Sequence, residues 1–164
     1  MMTAPTHLLR VESPLGRLEL TADDDSILTL EIERAGLLTY ENLPENSNDV
    51  LDEASRQLSE YFAGDRTEFD LPVKLEGTPF QTAVWLQLAR LGWGEFVSYG
   101  ELGALAGKPG SARAVGGAVG SNPVPIIVGC HRVLASNRKI TGYSAGNGIP
   151  TKVWLLDHES IGHA

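Results

Sequence analysis

Asn122-Pro123-Val124-Pro125-Ile126-Ile127-Val128-Gly129-Cys130-His131-Arg132-Val133-Leu134-Ala135-Ser136 holds the only cysteine of this 164-residue chain, and its reading decides how the rest is understood. Ile126, Ile127 and Val128 form a short apolar run suited to burial, which delivers Cys130 where the run ends. A free thiol of pKa about 8.5 is only a few per cent thiolate at neutral pH, so a reactive cysteine requires positive charge, a base or a helix N-terminus beside it. His131 and Arg132 follow at once. The plain alternative is a small buried hydrophobe. Adjacent side chains on an extended segment point to opposite faces, which keeps His131 off the sulfur and leaves it to act through a bridging water or a later partner. That argues against a simple cysteine protease dyad.

The chain is long enough for one ordinary domain or two small lobes with an adequate core. One cysteine excludes an intramolecular disulfide and a cysteine-based zinc site, and His7, His131, His158 and His163 show no metal-ligand spacing. No apolar run reaches the length of a membrane span, and Met1-Met2-Thr3-Ala4-Pro5-Thr6-His7 lacks the basic and apolar regions of a signal peptide, so a reducing cytoplasm is expected. The net charge of −8 divides unevenly. Residues 1–77 hold 6 Lys/Arg against 17 Asp/Glu, a balance of −11, and residues 78–164 hold 7 against 4, a balance of +3. The second half is the one suited to face phosphates.

From Leu8 to Glu33 the pattern is strand-like, broken by turn formers at Ser13-Pro14-Leu15-Gly16 and Ala22-Asp23-Asp24-Asp25, and predicts two or three antiparallel strands. Residues 39–48 read as a loop. Leu51, Ala54, Leu58, Tyr61 and Phe62 recur at helical spacing before Gly64, predicting an amphipathic helix packed on the sheet. Phe69, Leu71 and Val73 alternate with polar residues or proline and predict an edge strand.

A strong helix start follows at Thr78-Pro79-Phe80-Gln81, a capping box with proline in the first turn. A second lies at Ser98, with Glu101 three residues later, leading through Leu102 and Leu105 to Gly107. After Lys108-Pro109-Gly110 a third helix is expected over about 111–120, although its many Ala and Gly residues are poor for intrinsic helicity. Two short helices joined by a tight turn make a helix-turn-helix, whose second helix enters a DNA groove with Arg113 as its one long cation. Small side chains would let that helix approach DNA closely; equally, they would let it pack tightly inside the protein. Gly142-Tyr143-Ser144-Ala145-Gly146 reads as a pocket wall or a tight turn. A last helix is expected over about 151–159, with Trp154 and Leu155 inward, followed by a frayed tail from Ser160 to Ala164.

Taken together these residues resemble the O6-alkylguanine-DNA alkyltransferases, the methylated-DNA–protein-cysteine methyltransferases, over nearly the whole chain. The resemblance is carried by Gly77-Thr78-Pro79-Phe80-Gln81, Val84-Trp85, Ser98-Tyr99-Gly100-Glu101-Leu102 and Ala112-Arg113-Ala114-Val115-Gly116. It continues through Asn122-Pro123, Cys130-His131-Arg132-Val133 and Thr141-Gly142-Tyr143, and more loosely at Ser13-Pro14-Leu15-Gly16 and Glu60-Tyr61-Phe62-Ala63-Gly64. It implies an α+β fold: a small ribonuclease-H-like N-terminal α/β lobe, residues 1–76, with an antiparallel sheet plus helix. A mainly helical C-terminal lobe, residues 77–164, would bind DNA and carry out the transfer.

The activity implied is one irreversible transfer of an alkyl group from O6-alkylguanine in double-stranded DNA, and from O4-alkylthymine, to Cys130, with no cofactor. The target base must be rotated out of the duplex, at a cost smaller for a poorly paired damaged base. By resemblance Arg113 fills the vacated stack and Tyr99 helps turn the nucleotide, and the DNA-binding set is Ser98, Tyr99, Ala112, Arg113 and Gly116. His131 is the water-linked base, oriented by Glu159, and Asn122 fixes the turn that carries the cysteine. Tyr99, Val133 and Ser144 recognise guanine, the latter two through the backbone, with Tyr143 on the alkyl group. Tyr99 also gives a proton to the departing guanine.

Two departures stand out. Gly129 replaces the family's usual proline, which predicts a looser Cys130 segment and a Gly129→Pro variant with unchanged or higher rate. Asn147-Gly148-Ile149-Pro150-Thr151 is about two residues longer than usual and bears on substrate size. The rival readings are a lesion-binding module that recruits other repair factors, a cysteine hydrolase and a helix-turn-helix regulator. The first lacks the cysteine, the second needs a histidine touching the sulfur, and the third usually needs a dimerisation helix; a monomer is expected.

Overall fold

The computed structural model describes residues 5–164, and the chain divides between Lys74 and Leu75 into two compact units. The leader expectation for the first residues falls partly on 1–4, outside the described residues. In the first unit β1 (His7–Val11), β2 (Leu18–Ala22) and β3 (Ile27–Ile32) form an antiparallel sheet in the order β1-β2-β3. The register sets Leu20 opposite both Leu9 and Leu30, and Glu19 opposite Arg10. Leu18, Leu20, Ile27 and Leu30 are buried with Leu51, Ala54, Leu58 and Tyr61 of α1 (Asp49–Phe62). Asn48 starts α1 by accepting from the Leu51 amide, Asp49 and Asp52 suit its positive end, and Gly64 takes the left-handed conformation just past its end.

The edge strand expected at 69–73 shrinks to one parallel bridge between Ile27 and Val73. Two local causes suffice. Pro72 has no N–H for a ladder, and the Asp70 amide and carbonyl are both taken by the Gln57 side chain, at 2.8 and 3.0 Å.

The second unit is mainly helical: α2 (Pro79–Ala89), β4 (Val97–Ser98), α3 (Tyr99–Leu105), α4 (Ala112–Gly120), β5 (Val133–Leu134) and α5 (Ile149–His158). Both expected capping boxes are present, at Thr78/Gln81 and Ser98/Glu101. Trp85 of α2 donates its indole N–H to the Ala118 carbonyl of α4 at 2.8 Å. Gly103 lets α3 and α4 approach, since a Cβ there would lie within 3.0 to 3.1 Å of Ser111 Oγ, Lys108 O and Val115 Cγ2. β4 and β5 pair in parallel, Val97 with Val133 and Ser98 with Leu134.

The tail is not frayed. Ile161 is buried against Leu134, Leu156 and Ile140, and the Ile161 and Ala164 amides bond the Leu156 and Arg138 carbonyls at 2.8 and 3.0 Å. One apolar side chain gives the last turn a reason to dock. Among the described residues no helix is long and apolar enough to cross a membrane.

Candidate active site

Cys130 does not sit on an extended segment, as the alternating-face argument assumed. It opens a single 3-10 turn, Cys130–Arg132, with Gly129 before it and β5 after it. The approach to that turn is a bracketed loop rather than a strand. Asn122 Nδ2 donates to the Val128 carbonyl at 2.8 Å, and Asn122 Oδ1 accepts from the Val124 amide at 3.0 Å. Inside this bracket Ile126 is fully buried at φ +73°, a left-handed conformation costly for a β-branched residue. Burial of Ile126 and the Asn122 bonds hold the strain. Asn122 is therefore where the motif puts it, at the base of the cysteine turn.

All three residues of the tight turn are buried, and His131 and Arg132 meet on one carboxylate. His131 Nε2 donates to Glu159 Oε2 at 2.7 Å, and Arg132 forks onto the same carboxylate, Nε to Oε1 at 2.8 Å and Nη2 to Oε2 at 2.9 Å. Arg132 Nη1 is held by the Leu91 carbonyl at 2.7 Å. The Arg132 charge, read from sequence as a way to activate the thiol, is thus spent on Glu159. Burial would raise the Glu159 carboxyl, but hydrogen bonds from His131 and Arg132 override it and hold the group well below the usual carboxylate range. Burial pushes His131 down against the pull of Glu159, which favours the neutral imidazole. With Nε2 committed to Glu159, the lone pair lies on Nδ1, a buried atom with no hydrogen-bond partner among the described residues.

Cys130 lines a cavity of about 580 Å3. Its lining includes Tyr99, Ala112, Arg113 and Gly116 from α3 and α4, Thr141, Gly142, Tyr143 and Ser144 from the loop before α5, and Lys152 of α5. The Cys130 thiol donates to the Tyr143 hydroxyl at 3.6 Å, and Thr141 Oγ1 donates to the Tyr99 hydroxyl at 3.2 Å. Burial raises the thiol pKa, opposed by hydrogen bonds from Asn122 and Tyr143 and by the Lys152 charge.

Of the residues singled out from sequence, Cys130, Tyr99, Arg113, Ala112, Gly116, Tyr143 and Ser144 share this cavity. His131, Glu159 and Asn122 do not line it. Val133 and Ser98 do not line the cavity: Val133 is buried on β5 with its carbonyl bonded by Lys152, and Ser98 caps α3 through the Glu101 amide. None of residues 147–151 lines it either, because Ile149, Pro150 and Thr151 form the first turn of α5.

Two alternatives left open by the sequence meet geometry here. Gly116 and Gly117 of α4 have nothing within 4 Å of an added Cβ, so internal packing does not account for their small size. Gly142, Tyr143 and Ser144 wall the cavity. At Gly129 the geometry argues against an added side chain. Its φ of −74° suits proline, yet a Cβ would meet Arg132 Nη1 at 2.9 Å, Cδ at 3.0 Å and Cζ at 3.2 Å. Lys152 was missed altogether; helical spacing puts polar residues outside, and no local signal marks one that turns inward.

Comparison with known proteins agrees with this geometry. Residues 8–75 match the 6-O-methylguanine DNA methyltransferase ribonuclease-like domain and residues 79–161 the DNA binding domain of the same family. The constitutive methylated-DNA–protein-cysteine methyltransferase of Bacillus subtilis is 41% identical over 156 residues, covering 93% of this chain and 94% of its own. The Mycobacterium tuberculosis protein of that name is 42% identical over 158 residues, 93% and 92% of the two chains. A crystal structure of Mycobacterium tuberculosis OGT in complex with DNA superposes with a TM-score of 0.84 at 41% identity, over 94% of this chain and 92% of that one. With both halves matched in order and the cysteine turn at the cavity, the chain belongs to the 6-O-methylguanine DNA methyltransferase family.

Proposed function

We propose that this chain repairs DNA by transferring the alkyl group of O6-alkylguanine, and of O4-alkylthymine, from duplex DNA to its own Cys130, once per protein molecule. The observation that carries the reading is that Cys130 and Arg113 line one cavity, so the acceptor sulfur and the long cation of the second helix-turn-helix helix face the same space. Residues 1–76 form the supporting lobe and residues 77–164 the lobe that binds DNA and accepts the alkyl group.

Each residue has a task suited to its chemistry. Ser98 and Tyr99 at the start of α3, with Ala112, Arg113 and Gly116 on α4, meet the duplex; the open space at Gly116 supports close approach of the α4 backbone. Arg113 stacks in the gap left by the flipped nucleotide. Nδ1 of His131 takes the thiol proton through a water, and Glu159 fixes the tautomer and stabilises the imidazolium. The sulfur attacks the alkyl carbon, an S–C bond forms, and the C–O6 bond breaks with its electron pair going to guanine. The Tyr99 hydroxyl supplies the proton that neutralises the leaving guanine, and Thr141, donating to the Tyr99 oxygen, leaves that proton free for the base. Tyrosine and imidazolium then return to neutrality through solvent. Val133 and Ser144 read guanine through the backbone and Tyr143 packs on the alkyl group. The chain acts as a monomer in the cytoplasm, since the cavity is complete within one chain and the free thiol fits a reducing compartment.

The test is mass spectrometry of intact protein and peptides after incubation with a duplex carrying one O6-methylguanine. One methyl on Cys130, matched by loss from DNA and absent in Cys130→Ser, is the expected result. Lesion binding with no mass change would overturn the reading in favour of a recognition module. Arg113→Ala should cut transfer from duplex about 10- to 100-fold, the worth of about 1–3 kcal/mol of stacking, with a smaller loss on free O6-methylguanine; equal losses would remove Arg113 from that role.

A further inference from the structure

Between α2 and β4 the chain runs Leu91-Gly92-Trp93-Gly94-Glu95, a stretch to which the transfer chemistry gives no task. Two of its backbone groups nevertheless end on the charge pair that holds His131. The Gly94 amide donates to Glu159 Oε1 at 3.2 Å, and the Leu91 carbonyl accepts from Arg132 Nη1 at 2.7 Å. Both members of the pair are thus tied to one short loop. Glu159 Oε1 is shared by Gly94 and Arg132, and Oε2 by His131 and Arg132, so the loop completes the bonding of the carboxylate.

The loop has little stiffness of its own. It closes as a turn, the Glu95 amide bonding the Gly92 carbonyl at 3.1 Å and the Gly92 amide bonding Glu95 Oε1 at 2.6 Å. Gly94 stands at φ +79°, a left-handed conformation that glycine takes readily, and a glycine on each side of residue 93 leaves the backbone many alternatives. Trp93 is the one side chain between those glycines. Its half-buried ring meets His158 edge-on, with centroids 5.0 Å apart at 66°, and His158 is stacked in turn on Trp154 at 4.7 Å and 24°. His158 directly precedes Glu159. The ring contact and the Gly94 bond therefore join the same loop to the same end of α5.

We infer that Trp93 is a positioning residue for the transfer: packed on His158, it keeps the Leu91–Gly94 loop against the Arg132–Glu159 pair and so fixes the carboxylate that orients His131. This rests on the reading that His131 takes the Cys130 proton. A neutral imidazole accepts a proton only at the nitrogen that carries none, so His131 can serve the thiol only while Glu159 holds the hydrogen on Nε2 and leaves Nδ1 open. With the loop released, Glu159 loses the Gly94 bond and Arg132 the Leu91 bond. The carboxylate can then turn, and the imidazole can turn or exchange tautomers with it.

Three measurements decide this: heteronuclear NMR of isotope-labelled histidine in the free protein, duplex affinity, and single-turnover transfer at saturating O6-methylguanine duplex. Wild-type His131 should show one tautomer, protonated on Nε2. Trp93→Ala should populate the Nδ1-protonated form and slow transfer about tenfold, the scale of a small misplacement of a reacting group, with duplex affinity unchanged. Trp93→Phe keeps a ring for His158 and should restore both tautomer and rate. Should Trp93→Ala not fold, His158→Ala removes the other half of the contact and should shift the tautomer in the same way. A variant lacking the contact that keeps the wild-type tautomer overturns the inference, whatever its rate, and so does a wild-type His131 that already exchanges between tautomers. The two readings fail separately. Wild-type transfer with an indifferent Trp93 sinks only this inference, whereas no transfer to wild-type Cys130 sinks the acceptor reading while the His131 spectrum still reports on Trp93.

Discussion

Each unit of this protein holds a buried glutamate paired with an arginine, and the two pairs end differently. In the first unit Arg10 Nε meets Glu19 Oε2 at 3.1 Å, Arg10 Nη2 bonds the Tyr40 and Leu43 carbonyls at 2.6 and 2.7 Å, and Glu19 Oε1 accepts the Tyr40 amide at 2.9 Å. Charge is matched by charge and the remaining bonds go to backbone, so the pair pins a loop and nothing is left over. In the second unit Arg132 and Glu159 are matched as well, but Glu159 also holds His131, whose Nδ1 remains a buried acceptor without a protein partner among the described residues. The lesson is that a buried ion pair by itself argues for architecture, and an unspent polar atom attached to it argues for chemistry.

Glu159→Gln and Glu19→Gln test this contrast with the largest effect. Each removes the counter-charge of an arginine, buried for Arg132 and only partly buried for Arg10, so Glu159→Gln should lose about 3–5 kcal/mol of stability by denaturant unfolding and Glu19→Gln less. Only Glu159→Gln should also slow transfer by the folded protein, about 100-fold, because it weakens the base and releases its tautomer. A Glu19→Gln protein slowed as much, measured where both are folded, would break the comparison.

Gly129→Pro comes next. Residue-level reasoning expected no loss, since φ is compatible and the freed backbone would be stiffened. The geometry argues the other way, because the added Cβ presses on a guanidinium held at one end by Glu159 and at the other by the Leu91 carbonyl. Transfer should fall about tenfold as the Glu159 fork is displaced, and single-turnover rates check it. An undiminished rate would show that Arg132 yields at no cost to His131.

The smallest effect is the acid limb of stability. Both His131 and Glu159 are held below their ordinary pKa values in the folded state. Below about pH 6.5 the unfolded chain takes up the His131 proton while the folded chain does not, so stability must fall as pH falls, and Glu159 continues the loss below about pH 4.5. His131→Gln should flatten the upper part of that limb in thermal unfolding followed against pH, and an unchanged limb would mean that the imidazole is already protonated in the folded protein.

The sequence by itself determined most of the frame. Capping boxes at Thr78 and Ser98, the helical spacing of Leu51 to Tyr61 and the strand pattern from Leu8 to Glu33 are local signals, and local backbone physics honours them. The order of motifs around Cys130 likewise brought forward most of the residues that share the cavity. Only the tertiary structure decided the shape of the cysteine turn, the fate of the Arg132 charge, the cost of a side chain at Gly129 and the inward turn of Lys152. Each of these depends on which group fills the space beside a residue distant in sequence: Glu159 for Arg132, the carbonyls of Val133 and Gly142 for Lys152. Hydrogen-bond valence and burial are settled between such neighbours, so no window of sequence around either residue contains the answer.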